Sequence, residues 1–459
     1  MDYLANYNEL LKQVNIDFEK KKLTHRIYKK ALLFPFKMYN TRPSFENGFY
    51  NIFAEFSRIL LNKKLQKEFP LNDIIENIKN EIIMDEDDEE YLTKLLTEYL
   101  FNEKNELKLL HPYLYLYINL SSSNRSSGEK DLALYIRDIF CLDNENLVNF
   151  FKPTESNHII LNLILKNLPH LDDFVTEPKY SSKLNYVNKL FNDDIDFAIK
   201  NEKFFLDNID NIFAFYYFFY ISQLILKTSK RLNYDESIEE LFYLLDWENV
   251  SKNRKTVNRG YKFLKELSNA TLPRINLISQ LNLLLGTDYF LENELLVFFN
   301  NLDYESQKNF LYYLKKWITD YRNIKDFDEI YSFDDLPDEY EQLVDILHDS
   351  LIDEEKGLSY KSINLFTLNL EDLAKKYFLK RRGAYGYVLN INRDMLLMLT
   401  TFCVKDRKIK VNQLFKEYEK RGIFFDKYSK EEVVDFLTKL NLIDKKSDSG
   451  DAQYVKPIL

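Results

Sequence analysis

Apolar side chains recur every three to four residues through most of this chain, the spacing that gathers them on one face of an α-helix. Within residues 340–351, Leu343, Ile346 and Leu347 keep that period, and Leu414, Phe415 and Tyr418 repeat it further on. Breaks are few. Pro35, Pro43, Pro70 and Pro112 punctuate residues 1–119, and the run Ser121-Ser122-Ser123-Asn124-Arg125-Ser126-Ser127-Gly128 has the composition of a linker. Residues 130–325 predict further apolar helices without a fixed repeat. Their most apolar segment, Ile212 to Leu226, covers about 15 residues, roughly 22 Å as a helix. A bilayer core needs about 30 Å, and Ser222 and Gln223 interrupt the segment. The expectation is therefore a helix buried on all sides, with no membrane partner.

The pattern changes near the end. Tyr385, Tyr387, Leu389 and Ile391 alternate with Gly386, Val388 and Asn390, which predicts a half-buried strand. A helix follows from Arg393 to Val404, with Asn392 as its N-cap. Ile409-Lys410-Val411 reads as a short strand, and the next helix stops at Gly422 with Lys420 and Arg421 in its last turn. Ser429 and Glu432 predict a capping box for a third helix buried through Val433, Phe436, Leu437 and Leu440. A closing hairpin turns at Asp448-Ser449-Gly450-Asp451. Helix, short strand, helix, helix, strand, wing, strand is the order of a winged helix. The expected architecture is mainly α. It comprises a helical multi-subdomain body (1–119 and 130–325), an acidic connector at 326–356 and a C-terminal winged-helix module at 378–459.

Charge sharpens this division. The formal charge is -10, yet residues 375–459 hold 19 Lys and Arg against 11 Asp and Glu, leaving 44 against 62 for the rest. So acidic a body does not bind nucleic acid broadly. Candidate contacts to nucleic acid or a partner are the arm Lys380, Arg381 and Arg382 and the wing lysines Lys445 and Lys446. A second basic run, Lys252, Arg254, Lys255, Arg259 and Lys262, follows Asp246-Trp247-Glu248. These cations suit phosphate neutralisation rather than base reading. A base-reading third helix would show Arg, Lys, Asn or Gln, whereas this one shows Glu431 and Asp435. Solvated charges on a module that docks to protein are the plain alternative. Residues 326–355 carry 13 acids and no Lys or Arg, and a connector of that charge could fold back on the basic module and compete with DNA.

Catalytic patterns are weak. Pro337-Asp338 with Glu354-Glu355-Lys356 has the residue order of a magnesium nuclease signature. Such carboxylates need adjacent strands to hold them, and this segment is helical. His25, His111, His158, His170 and His348 are isolated from one another, so no zinc pair is predicted. Gly48, Gly128, Gly260 and Gly286 stand alone, so no phosphate loop or dinucleotide fingerprint forms. Cys141 and Cys403 lie far apart in apolar settings, which fits a reducing cytoplasmic compartment. The opening Met1-Asp2-Tyr3-Leu4 lacks a signal-peptide pattern. No cofactor, metal or enzyme activity is expected.

Two tail segments carry a family resemblance. Arg421-Gly422-Ile423-Phe424-Phe425-Asp426 and Lys445-Lys446-Ser447-Asp448-Ser449-Gly450-Asp451-Ala452-Gln453-Tyr454-Val455 resemble the C-terminus of the DptG family. Asp246-Trp247-Glu248 with Ser251, Lys252 and Arg254 is consistent with it. The likeness is sharp over residues 385–459 and general, in length and helical character, elsewhere. It implies a component of the bacterial systems that restrict DNA lacking phosphorothioate marks, working with DptF and with DptH, which carries ATPase sequence features. It implies no catalytic motif. The expected role is a non-catalytic subunit bridging partners or DNA. The alternatives are a stand-alone winged-helix DNA-binding regulator and, third, a nuclease using Asp338, Glu354 and Lys356.

Overall fold

The computed structural model describes residues 2–37, 41–65, 71–81, 85–101, 107–108, 110–118, 120, 124–142, 144–154, 158–328, 332–445 and 453–459. Among them are eighteen α-helices and eight strands of two to five residues, so the chain is mainly α as its periodicity predicts. Two compact units form. One comprises residues 1–39, 179–187 and 214–459, and the other 40–178 and 188–213. The expected subdomain 1–119 is therefore divided between them, and the expected connector and terminal module belong to one unit with much of the central stretch.

The smaller unit packs around rings. Phe53 meets Phe213 edge-on at 4.5 Å and Tyr115 at 5.8 Å, while Phe56 lies 5.2 Å from Phe213. Arg58 is buried among them but donates to the carbonyls of Leu116 and Ile118 and to Glu55, which satisfies its charge. The predicted linker is not one over its described part. Ser126 to Ile136 is a helix, and Gly128 lies in its first turn, where a Cβ would come 2.3 Å from the Thr41 carbonyl oxygen. Small residues stand there because the backbones approach closely, a need that composition alone reads as a loop. Residues 121–123 lie outside the described set.

In the larger unit the helix Tyr261–Leu285 is the hub, packed by the helices Tyr3–Gln13, Tyr340–Ile352 and Tyr360–Tyr377. Its second half, from Thr271 on, is buried at nearly every position, as a helix covered on all sides must be. The helix Glu202–Ser229, which contains the apolar segment noted above and belongs to this unit only from residue 214 on, runs 28 residues, and 89% of its most apolar window is buried within the chain. By length and composition it could cross a bilayer, but its apolar surface is already occupied by protein.

The acidic connector is no loose strap. Tyr340–Ile352 buries Leu343, Val344, Leu347 and Leu351 against the hub, and its surrounding acids are paired: Asp338 with Lys315, Asp345 with Arg231 and Asp326 with Lys21 in the body, and Asp328 with Lys356 inside the connector itself. Helical spacing put its apolar face in the core, which overrides the reading from charge.

Two small sheets shape the C-terminal region. Tyr387–Ile391 is the middle strand of one, antiparallel to Leu379–Arg381 and parallel to Leu244–Leu245. The helices Tyr261–Leu285 and Lys255–Arg259 pack on this strand, and Val388, Leu389, Asn390 and Ile391 are all buried, so the expected alternation is lost; Tyr385 lies in the turn before it. Next come Arg393–Val404, capped by Asn392 as predicted, then Ile409–Lys410, Val411–Lys420 and Lys427–Lys439. The closing strands Ile443–Lys445 and Gln453–Val455 complete an antiparallel sheet ordered 409–410, 453–455, 443–445. The hairpin tip, 446–452, lies outside the described residues. Asp426, not Ser429, caps the Lys427–Lys439 helix, and Leu440 is exposed just past its end. Ser429 and Glu432 are committed to tertiary bonds instead.

Candidate functional site

Residues 241–254 join these C-terminal elements. Tyr243 N donates to the Phe424 carbonyl at 3.0 Å and Phe424 N to Leu241 at 3.1 Å, while Leu244–Leu245 completes the sheet beside Tyr387–Ile391. Trp247 then lies on the Lys427–Lys439 helix, its Nε1 donating to Glu432 at 2.9 Å and its ring 5.0 Å from Phe436. Arg254 closes the segment. It donates to both oxygens of Asp426 (2.5 and 2.9 Å), to Glu248 (2.8 Å) and to Ser429 Oγ (2.7 Å), and is 6% exposed. Burial works against the Asp426 carboxylate, yet the Arg254 bonds outweigh it and hold the carboxyl below its ordinary value. Arg254 is thus a buried clamp, a correction to its expected place among surface cations. Its neighbours in the run made it look solvated, and only the fold brings Asp426, Glu248 and Ser429 to it.

The other predicted cations divide. Lys380 donates to the Asp246 carbonyl at 2.8 Å, and Arg382 donates to the carbonyls of Leu245 and Asp246 and to Asn390, so both hold the hairpin in place. Arg381, Lys252, Lys255 and Arg259 are exposed. Lys255 lies 4.7 Å from the Phe242 ring and Arg259 4.8 Å from Phe263. The Lys445 side chain and Lys446 lie outside the described residues.

The two basic segments, more than a hundred residues apart in sequence, meet at Glu371. Its carboxylate accepts from Lys265 at 2.8 Å, from Lys375 at 2.7 Å and from Tyr261 Oη at 2.8 Å. Burial alone would raise its pKa, but these three donors bring it down to about 2. Lys375 also lies 5.6 Å from the centroid of Tyr387, which is directly across the hairpin from Arg381. Lys265, Lys375 and Arg381 are thus gathered around Glu371 and Tyr387, with Tyr385 and Tyr387 about two-fifths exposed, and the exposed Arg259, Lys262 and Lys376 flank them in sequence. Sequence reasoning missed Lys265, Lys375, Lys376 and the tyrosines as candidate contacts. The pair Glu371–Lys375 has legible helical spacing, but Lys265 meets Glu371 only through tertiary packing.

A cleft of about 1210 Å³ lies beside the Lys427–Lys439 helix, lined by Phe415, Phe425 and Val434 with Lys255, Lys427 and Lys430. Glu419, Glu431 and Asp435 line it too, so it repels phosphate as readily as it attracts it. At the base of the closing sheet Asp444 pairs with both Lys408 (2.5 Å) and Lys456 (3.5 Å). The nuclease-like residues are not assembled: Asp338 pairs with Lys315 and Lys356 with Asp328. Among the described residues no group of three or more His, Cys, Asp or Glu is placed to hold a metal ion. No protein-family model matches the sequence, and no curated protein matches it either.

Proposed function

We propose that this chain is a non-catalytic subunit of a DNA phosphorothioation-dependent restriction complex, as the resemblance of its tail to the DptG family implies, and that it holds polynucleotide backbone on the composite basic surface. The observation that carries the contact is the meeting of residues 259–265 and 375–381 at Glu371 and Tyr387. An acidic chain that nevertheless collects cations from two distant segments onto one face has the electrostatic footprint of phosphate binding. We read residues 393–455 as a winged helix, supported by the element order and by a sheet whose last strand lies in the middle. Glu431 and Asp435 on the exposed side of its third helix argue against base reading, so the contact is independent of sequence. This also weighs against a stand-alone regulator. DptF and DptH family proteins are the implied partners, in the cytoplasm, with nucleotide hydrolysis supplied by the ATPase partner.

The test has two parts. DNA affinity of the full chain is measured across a salt series, with Arg259→Glu and Lys376→Glu as variants drawn from separate segments. Each is expected to weaken binding and to reduce the slope of log affinity against log salt by about one to two. Reversals without effect, or affinity independent of salt, would remove the surface from the account. Co-expression with DptF and DptH family proteins should yield a co-purifying complex; its absence would remove the restriction role.

A further inference from the structure

Most of the composite surface is charge, but its hairpin also presents two aromatic rings. Tyr385 and Tyr387 are 39% and 40% exposed, unlike the many tyrosines that this chain buries. Gly383 and Gly386 flank the first of them with φ of +55° and +68°, and a Cβ at either would meet nothing within 4 Å. Glycine therefore serves the turn there and is not required by a crowded neighbour. Arg381 and Tyr387 are register partners on antiparallel strands, so their side chains share one face of the hairpin. Lys375 approaches the same ring from the neighbouring helix at 5.6 Å. Tyr387 thus has one cation against its ring and another opposite it across the strand pair, with a second tyrosine two residues earlier.

Duplex DNA offers such a site only its phosphates, because its base faces are already stacked. A single strand offers phosphates to the cations and unstacked bases to the rings, and base stacking on an aromatic side chain is tolerant of sequence. We infer that the hairpin 379–391, with Lys375 and Lys265 beside it, binds single-stranded polynucleotide, its bases stacking on Tyr385 and Tyr387. This rests on the phosphate-binding reading above and narrows its ligand.

The test uses the full chain and fluorescence anisotropy with labelled oligothymidine and oligouridine of about twenty nucleotides, a matching duplex, and an abasic strand of equal charge. The single strands are expected to bind roughly tenfold more tightly than the duplex. Tyr385→Ala with Tyr387→Ala should weaken single-strand binding by about tenfold or more. Duplex and abasic-strand binding should weaken far less than single-strand binding, since both lack free bases to stack on the rings. A preference between oligothymidine and oligouridine identifies the strand as DNA or RNA, and either supports the inference. Equal affinity for duplex and single strand, or tyrosine variants that bind like the native chain while Arg259→Glu still weakens binding, overturns this inference and leaves the phosphate-binding reading standing. No binding to any strand overturns both.

Discussion

Arg254 grips Asp426 through two parallel hydrogen bonds, 2.5 Å from Nε and 2.9 Å from a terminal nitrogen, across 172 positions of sequence. Asp426 is also the N-cap of the helix Lys427–Lys439, so one carboxylate both starts that helix and fastens it to residues 241–254. The guanidinium reaches Glu248 as well, while Ser429 Oγ donates to the same Glu248 carboxylate. Removing the arginine would leave two carboxylates in a nearly dry site without their cation. Arg254→Ala is therefore expected to destabilise the fold by about 3–5 kcal/mol, the usual result of breaking a buried pair from one side. Chemical denaturation checks this. Arg254→Lys should recover only part of the loss, since one ammonium cannot span Asp426 and Glu248 as the planar fork does.

Gly422 ends the preceding helix with φ of +70°, and a Cβ there would fall 2.4 and 2.7 Å from ring carbons of Phe219. Two costs combine at this position. A left-handed backbone disfavours any side chain by about 1 kcal/mol, and overpacking a filled core adds about 1–3 kcal/mol. Gly422→Ala is expected to lower stability by roughly 2–4 kcal/mol on those grounds. A paired Phe219→Leu should restore part of it, because the smaller side chain vacates the ring edge. If the two substitutions are additive in thermal unfolding, the contact is not the cause.

The helices of the tail were legible because each carries its own local signals, such as Asn392 before Arg393 and Gly422 after Val411–Lys420. What the sequence hid is everything decided by distant partners. Ser429 and Glu432 have the spacing of a capping box, but Arg254 and Trp247 claim those side chains. Tyr387 to Ile391 alternates like a half-buried strand, yet Leu244–Leu245 arrives on its free edge and the strand becomes central. Arg254 and Lys255 are adjacent and chemically similar, and one is buried while the other is exposed. The composite surface was half legible: the basic runs 252–262 and 380–382 were visible, and Lys265 and Lys375, which meet at Glu371 beside them, were not.

Glu371 restrains that surface. Its single carboxylate partly neutralises Lys265 and Lys375 while accepting from Tyr261, and it is 7% exposed. Glu371→Gln keeps the shape but removes the charge. Stability should fall by about 1–3 kcal/mol as charge-assisted hydrogen bonds become ordinary ones. Nucleic-acid affinity should rise instead, with a steeper salt slope, because two ammonium groups lose their counter-ion. Opposite signs for stability and affinity separate this outcome from simple loss of folding. A variant that loses both would show that the carboxylate positions the surface rather than masking it.

Acid should weaken the fold in two stages, and the order follows from which groups are displaced. His25 and His348 are each held down to about 4, both chiefly by burial, with Lys325 acting further on His25 and the guanidiniums of Arg274 and Arg231 on His348. Asp345 pulls His348 the other way but does not prevail. Between pH 6.5 and 4 the unfolded chain therefore binds protons at these rings that the folded chain refuses, so stability is complete above 6.5 and declines as pH falls. Glu371 adds a second loss from about 4.5 downward, where the unfolded carboxyl takes a proton and the folded one, at about 2, does not. Unfolding free energy measured from pH 7 to 4.5 should fall by on the order of 2–3 kcal/mol per histidine. The double variant His25→Leu, His348→Leu should flatten that limb alone, leaving the loss below pH 4.5 in place. His25 accepts or donates a 2.9 Å bond with Tyr321 Oη, so His25→Gln is the companion that keeps a polar partner there while removing the titration. If neither variant alters the slope above pH 4.5, the decline belongs to other groups and the two rings are not what acid attacks first.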